Sequence, residues 1–399
     1  MVAIKPIHPF PARMAPELAI AALNVLDSNS FVLDPMAGSG TVLRQASESG
    51  HRALGFDMDP LAVLMSKVWT TQVNDEAIER LLMDVIKKAR KLHRNVKLPW
   101  IDEDAETTRF IEFWFAEPQR FDLRRIAFVL SQLQKTAVLG KQAAADVLRI
   151  ALSRIIITKE QGASLARDTS HSRPHKVAEY SDFEVFPAFE RSANQVRRLL
   201  NSAPPTGNVN VGLGDARFLN AVENNSVDAV LTSPPYLNAI DYMRGHRLSL
   251  VWLGYKLSAL RQIRSSSIGA ERGPDLKGKA HLFEAIINAF GPISQLSRSH
   301  VSMIERYAED VYRLMSEVSR VLKHDGKAIF VVGNSCLKGT FIRNSECVIS
   351  AGVMVGLNLM HQVERELPNR NRYLPMPKGM NEPLGKRMRT ESILTFKCA

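Results

Sequence analysis

Apolar residues recur at helical spacing through MAPELAIAALNVL (14–26) and give way to FVLDPMAGSG, a short apolar run that enters a glycine turn. The pattern predicts a helix, a buried strand and a second helix from Thr41 to about Ser49. HRALGFDMDP then reads as a strand ending in acids, and PLAVLMSKVW as a helix with proline in its first turn. This β-α-β-α alternation predicts an α/β domain with a parallel sheet.

The alternation breaks over about 75–200, where long stretches such as RRIAFVLSQLQ and ADVLRIALSRIII keep helical periodicity and VIKKARKLHRNVK (85–97) is basic and amphipathic. This segment reads as an insertion. Strand patterns return in NVNVGLGDA (208–216) and SVDAVLTS (226–233), and a polar excursion runs from about 237 to 300. A helix over RYAEDVYRLMSEVSRVL leads through the turn Asp325-Gly326 into the strand KAIFVVGN. LNLMHQVERELP and RTESILTFK then read as an antiparallel closing pair joined by a Pro/Arg/Asn-rich loop (368–389).

Composition narrows the class. Of 399 residues, 45% are hydrophobic and 23% charged, the balance of a soluble globule. No run of eighteen apolar residues occurs, and MVAIKPIHPFPARMAPEL lacks a signal-peptide h-region, so a cytoplasmic chain with no membrane partner is expected. Three cysteines, Cys336, Cys347 and Cys398, are too few for a disulfide framework or a four-ligand zinc site. The net charge of +11 points towards a polyanionic partner, and the excess is local: residues 237–280 hold eight Lys/Arg against three Asp/Glu.

Three motifs sit at strand ends. In LDPMAGSGT, Gly38 and Gly40 make a tight turn into a helix, which either merely connects two elements or lets backbone N–H groups approach a ligand. Asp57, seventeen residues after Gly40, ends the next strand where a carboxylate can bind the hydroxyls of a ribose. The loop lacks a third glycine and the GK[ST] of a phosphate loop, so a nucleoside without pyrophosphate fits better. Asp215, with the next backbone N–H, that of Ala216, ends a third strand in GDAR; it is a common turn or an adenine contact. Finally, LTSPPYL ends an apolar strand with two prolines, which give no N–H to a sheet ladder.

HPFPARMAPELA, LDPMAGSGT, GFDMD, GDAR and TSPPY, in that order, resemble the S-adenosylmethionine-dependent amino-group DNA methyltransferases, over about 1–60, 208–240 and 303–397. Within that family a serine before PPY is typical of N4-cytosine enzymes, and Asp or Asn of N6-adenine enzymes. The resemblance implies a Rossmann-like class I methyltransferase sheet, mostly parallel with an antiparallel closing hairpin, and a large helical insertion. It also implies that Asp34, Pro35, Ala37, Gly38, Gly40 and Thr41 line the methionine end of S-adenosylmethionine, with Phe10, Pro11 and Ala12 beside it. Asp57 would bind ribose, and Met58, Asp215 and Ala216 would border the adenine. Ser233 and the Pro234 carbonyl would accept hydrogen bonds from an exocyclic amine, in a loop stiffened by Pro234 and Pro235, while Tyr236 stacks on the base. C5-cytosine chemistry needs a cysteine after proline, and the three cysteines here come after Ser335, Glu346 and Lys397.

The expected partner is double-stranded DNA with the target base flipped out. Candidate contacts are Arg244, His246 and Arg247 after the catalytic loop, Arg167, His171, Arg173, His175 and Lys176 in ARDTSHSRPHK, and Arg370 and Arg372 in RELPNRNRYLP; each stretch reads equally as a solvated loop. The two histidines four apart in ARDTSHSRPHK have no acidic or cysteine neighbour, so no metal site is expected. The organisation is then a catalytic domain split into 1–74 and 206–399, a helical insertion at 75–205 for target recognition, and a DNA-contacting excursion at 237–300. A cognate restriction endonuclease stays open as a partner, as do monomer and homodimer. N6-adenine, RNA-base or protein-amide methylation, or an inactive DNA-binding scaffold, are the competing readings.

Overall fold

A computed structural model describes residues 4–10, 13–134, 139–158, 160–167, 174–237, 241–270, 279–366 and 390–398. Its centre is a seven-stranded sheet. In chain order the strands are β1 (Phe31–Asp34), β2 (Arg52–Asp57), β3 (Val209–Leu213), β4 (Val227–Thr232), β5 (Leu322–Gly333), β6 (Leu357–Glu366) and β7 (Thr390–Cys398). Across the sheet they run β6-β7-β5-β4-β1-β2-β3. Ladders between β3, β2, β1, β4 and β5 are parallel, whereas β7 runs antiparallel to both β5 and β6. This is the Rossmann-like α/β sheet with an antiparallel closing hairpin that the pattern predicts.

Side chains alternate between the two faces, as a pleated strand requires. Leu33, Val230 and Phe330 enter one core with α12 (Glu284–Ala289), α13 (Arg298–Val321) and α14 (Asn344–Met354). Val32, Leu231 and Val331 enter another with α1 (Pro16–Leu23) and α2 (Thr41–Glu48). α13 begins eight residues before the predicted start, because Met303 and Ile304 extend its buried stripe through Tyr307, Ala308, Val311 and Leu314 while its first turn is polar.

The insertion is helical as expected: α4 (Asp75–Lys91), α5 (Pro99–Asp102), α6 (Ala105–Trp114), α7 (Glu117–Gln134), α8 (Leu139–Arg154) and α9 (Val185–Ser202). Its apolar faces do not close on themselves. They form one core with Leu61, Met65, Val68 and Trp69 of α3 (Pro60–Thr70), with Met243 and Leu248 of α10 (Tyr242–Leu250), and with Leu260 of α11 (Leu257–Ser266). The 237–300 excursion therefore divides: α10 and α11 join the helical insertion, while Ile268, Phe283 and Ile286 pack under the sheet. Trp69 and Trp252 are buried, and Trp100 Nε1 donates to Val251 O at 2.8 Å.

Candidate active site

The strand order reverses between β1 and β4, the place where an open α/β sheet leaves a crevice at its carboxyl edge. A cavity of about 890 Å³ lies there, bounded by Asp34 at the end of β1, Asp57 at the end of β2, Asp215 after β3 and Ser233 after β4. Most of the residues singled out in the sequence converge on it. Phe10, Pro35, Ala37, Gly38, Thr41, Met58, Ala216, Pro235, Tyr236 and Arg244 also line it. Pro234 is buried and is not a lining residue. Pro11 and Ala12 fall outside the described residues.

The glycine turn is built for a close approach. Gly38 and Gly40 have φ of 51° and 86°, and a Cβ on Gly40 would stand 3.0 Å from the Cα of Ser66. The Ser66 hydroxyl donates to Gly38 O at 2.8 Å, and Gly38 N–H donates to Asp57 at 2.8 Å. Gly40 caps α2 without a side-chain hydrogen bond, and the buried Thr41 hydroxyl has no partner among the described residues. A helix start and an orphaned hydroxyl thus face the same space.

Two carboxyls on the cavity wall resist ionisation. Burial raises Asp34 from 3.8 to about 7, against hydrogen bonds from the Thr232 hydroxyl (2.7 Å) and Met36 N–H (3.2 Å) that favour its charge; the neighbouring Asp57 raises it further. Asp57 is raised to about 6 by burial and by Asp59, opposed by the N–H groups of Asp59 and Gly38 and by His246. At Asp215 the Arg217 guanidinium donates to both carboxylate oxygens and also to Asp310. Its carboxylate is held in place by a side chain two residues on, and any adenine contact uses its remaining lone pairs.

At the end of β4 the prolines stop the ladder, and two hydrogen bonds fix the loop beyond it. Ser233 Oγ donates to Val331 O of β5 at 2.9 Å, and Tyr307 of α13 donates its O–H to Pro235 O at 2.8 Å. The ring of Tyr236 lies against Gly333, where a Cβ would come within 2.6 Å of it. The glycine that ends β5 is thus required by the ring. Tyr307 was not visible as a functional residue, because its helical spacing marks it only as core.

Among the expected nucleic-acid contacts, Arg244 is on the cavity wall. His246 is not available for one: it is 8% exposed, its Nδ1 pairs with Asp59, and it packs against the ring of Phe10 at 5.5 Å. The expectation failed because the alternation of α10 turns His246 inward. Arg247 lies over Phe110, 5.1 Å from the ring centre. Arg167, His175 and Lys176 form a small antiparallel ladder, 166–167 with 175–176, away from the lining residues, with Lys176 over the Phe113 ring at 5.1 Å. His171, Arg173, Arg370 and Arg372 lie outside the described residues. No cluster of three metal-binding side chains occurs among the described residues, and no described helix is long and apolar enough to cross a membrane.

Fold and cavity together define an α/β protein with a crevice at the carboxyl edge of its sheet and a loop with two prolines beside it. No protein-family model matches the chain. It is similar to the type II methyltransferase M.AvaI of Nostoc sp., 23% identical over 308 residues, which are 73% of this chain and 62% of that protein. The matched part thus spans under two thirds of that relative. Similarity to the type II methyltransferase M.MvaI of Kocuria varians runs at 22% over 429 residues, covering 98% of this chain and 90% of the relative. Among solved structures, a TehB-like S-adenosylmethionine-dependent methyltransferase from Corynebacterium glutamicum aligns over 96% of this chain and 88% of its own, with 9% identity and a TM-score of 0.31.

Proposed function

We propose that the protein transfers a methyl group from S-adenosylmethionine to the exocyclic N4 amine of a cytosine in duplex DNA. The observation that carries the reading is the orientation of Ser233. Its hydroxyl hydrogen is committed to Val331 O, so only lone pairs remain for the cavity. A group that meets this oxygen must be a donor, and an exocyclic amine is one. An amine hydrogen given to Ser233 fixes the nitrogen and leaves its own lone pair for attack. Tyr307 holds the backbone at Pro235, so the loop keeps this geometry without rearranging.

The residues around the glycine turn fit S-adenosylmethionine. A Cβ on Gly38 would crowd the cavity-lining ring of Phe10, and the start of α2, with a Thr41 hydroxyl that has no partner among the described residues, suits the polar methionine end. In this reading Asp57 binds the ribose, and Met58, Asp215 and Ala216, which line the same cavity, border the adenine. When bound, S-adenosylmethionine supplies a sulfonium methyl group, which needs no strong general base. Similarity to type II methyltransferases and the basic excursion support DNA as the substrate, and the recessed Ser233 requires an extruded base.

Labelled S-adenosylmethionine with genomic DNA, and then mass spectrometry of the nucleosides, tests the proposal. N4-methylcytosine is expected. N6-methyladenine as the sole product overturns the choice of base, and DNA without label overturns the substrate.

A further inference from the structure

Past the end of α11 the chain turns through Ser267, Ile268, Gly269 and Ala270, and all four line the cavity. Ala270 N–H closes the turn on Ser267 O at 3.1 Å, and Gly269 has a φ of 74°. A Cβ on Gly269 would stand 3.5 Å from Tyr236 O and from the Tyr307 ring, so the turn lies against the loop that carries Ser233 and Tyr236. Two charged residues that do not line the cavity hold this turn. Arg217 Nη2 donates at 2.5 Å to the carbonyl of Ser266, the last residue of α11, where the helix leaves its carbonyls without donors and a cation suits its negative end. Asp310, one turn of α13 beyond Tyr307, accepts from Gly269 N–H and from Arg217 Nη1. The same guanidinium also faces the cofactor side, giving Nε at 2.9 Å and Nη2 at 2.6 Å to the two oxygens of Asp215 on the cavity wall.

Arg217 is 13% exposed and stands between two carboxyls that are 22% and 17% exposed, so it is the one cation that lets both keep their charge. Burial pushes the Asp310 carboxyl up, and Arg217 opposes the shift. A planar guanidinium can serve three acceptors in fixed directions, which an ammonium cannot. We propose that Arg217 is a positioning residue for both substrates: it sets Asp215 for the adenine of S-adenosylmethionine and, through Ser266 O and Asp310, sets the 267–270 turn as the wall of the target-base subsite at Tyr236. The proposal rests on the reading of the crevice given above, with the cofactor at Asp57 and Asp215 and a base at Ser233. It divides the work of the hub in two, since the Asp310 branch reaches only the base side.

The test compares Arg217→Met, Arg217→Lys and Asp310→Ala with the wild-type full chain. Calorimetric titration gives Kd for S-adenosylmethionine, methyl transfer to genomic DNA gives KM for DNA, and thermal melting reports on folding. In Arg217→Met both Kd for the cofactor and KM for DNA should rise about tenfold or more, the worth of one charge-assisted hydrogen bond on each side. Asp310→Ala frees the turn and leaves Arg217 on Asp215, so KM for DNA alone should rise, by about tenfold. Arg217→Lys should show smaller rises in both, since it keeps the charge and loses the fork. Wild-type values in Arg217→Met overturn the proposal. So does an Asp310→Ala protein that loses cofactor and DNA affinity in equal measure, the sign of a general loss of structure. If the methionine variant melts early, a lysine variant with wild-type values for both substrates overturns it instead. A wild-type protein that binds no S-adenosylmethionine faults the reading of the crevice, and the proposal falls with it. Cofactor binding without methyl transfer to DNA faults only the substrate, and the cofactor arm then decides: an unchanged Kd in Arg217→Met still overturns the role of Arg217.

Discussion

Substituting Asp34→Asn should stabilise the fold above neutral pH while weakening the cavity's hold on S-adenosylmethionine. Asparagine offers one oxygen that can still accept from the Thr232 hydroxyl and from Met36 N–H, so the change removes charge and little else. A carboxyl whose pKa rises on folding from 3.8 to about 7 is easiest to bury in acid. The penalty is absent below the unfolded value, grows across the interval, and is complete above the folded value. Three pH units at about 1.4 kcal/mol each give a penalty of about 4 kcal/mol near pH 8, and less than half of that near pH 5, where little of the interval has been crossed. Urea unfolding of both proteins at the two pH values measures the difference. The variant should gain several kcal/mol near pH 8 and markedly less near pH 5. A gain that does not change with pH, or a loss near pH 8, would refute the account of Asp34 as a desolvated carboxyl. Calorimetric titration should show weaker binding of S-adenosylmethionine above pH 7, where Asp34 carries its charge, and a smaller difference near pH 5.

The same geometry sets the outcome of four other substitutions. Ser233→Ala should lower kcat by about 10- to 100-fold with cofactor affinity unchanged, because it removes the acceptor for the amine; single-turnover kinetics measure it. Tyr307→Phe should lower kcat by roughly tenfold by releasing Pro235 O, again without altering cofactor titration. In Gly40→Ala the new Cβ meets Ser66 at a φ of 86°, so stability should fall by about 2–4 kcal/mol in urea unfolding, with loss of S-adenosylmethionine binding. His246→Ala should lower stability by about 2–3 kcal/mol, since Asp59 loses a buried partner, and should leave the salt dependence of DNA binding unchanged, unlike a phosphate contact.

The central sheet was legible because each strand carries a dense apolar run bounded by Gly, Pro or acid, as in FVLDPMAGSG and SVDAVLTSPPY. The strand-end residues of the site were legible for the same reason, since the sheet itself delivers Asp34, Asp57, Asp215 and Ser233 to one edge. The contributions of the helices were not. Tyr307 reads as one more apolar position in α13, and its O–H reaches Pro235 across 72 residues of chain. His246 looked like a surface base contact because it sits among arginines, although the turn of α10 directs it to Asp59.

The core shared by α3, the insertion and α10 bears on how the insertion can be exchanged between proteins of this kind. Cutting out 75–205 would strip the cover from Met65, Val68 and Trp69, which belong to the helix next after Asp57 and Asp59. A transplanted insertion must therefore bring complementary faces for α3 and α10. A graft that matches only the segment ends would disturb the crevice at the strand ends, so variation of the insertion in this architecture is tied to the co-variation of two helices that pack outside it.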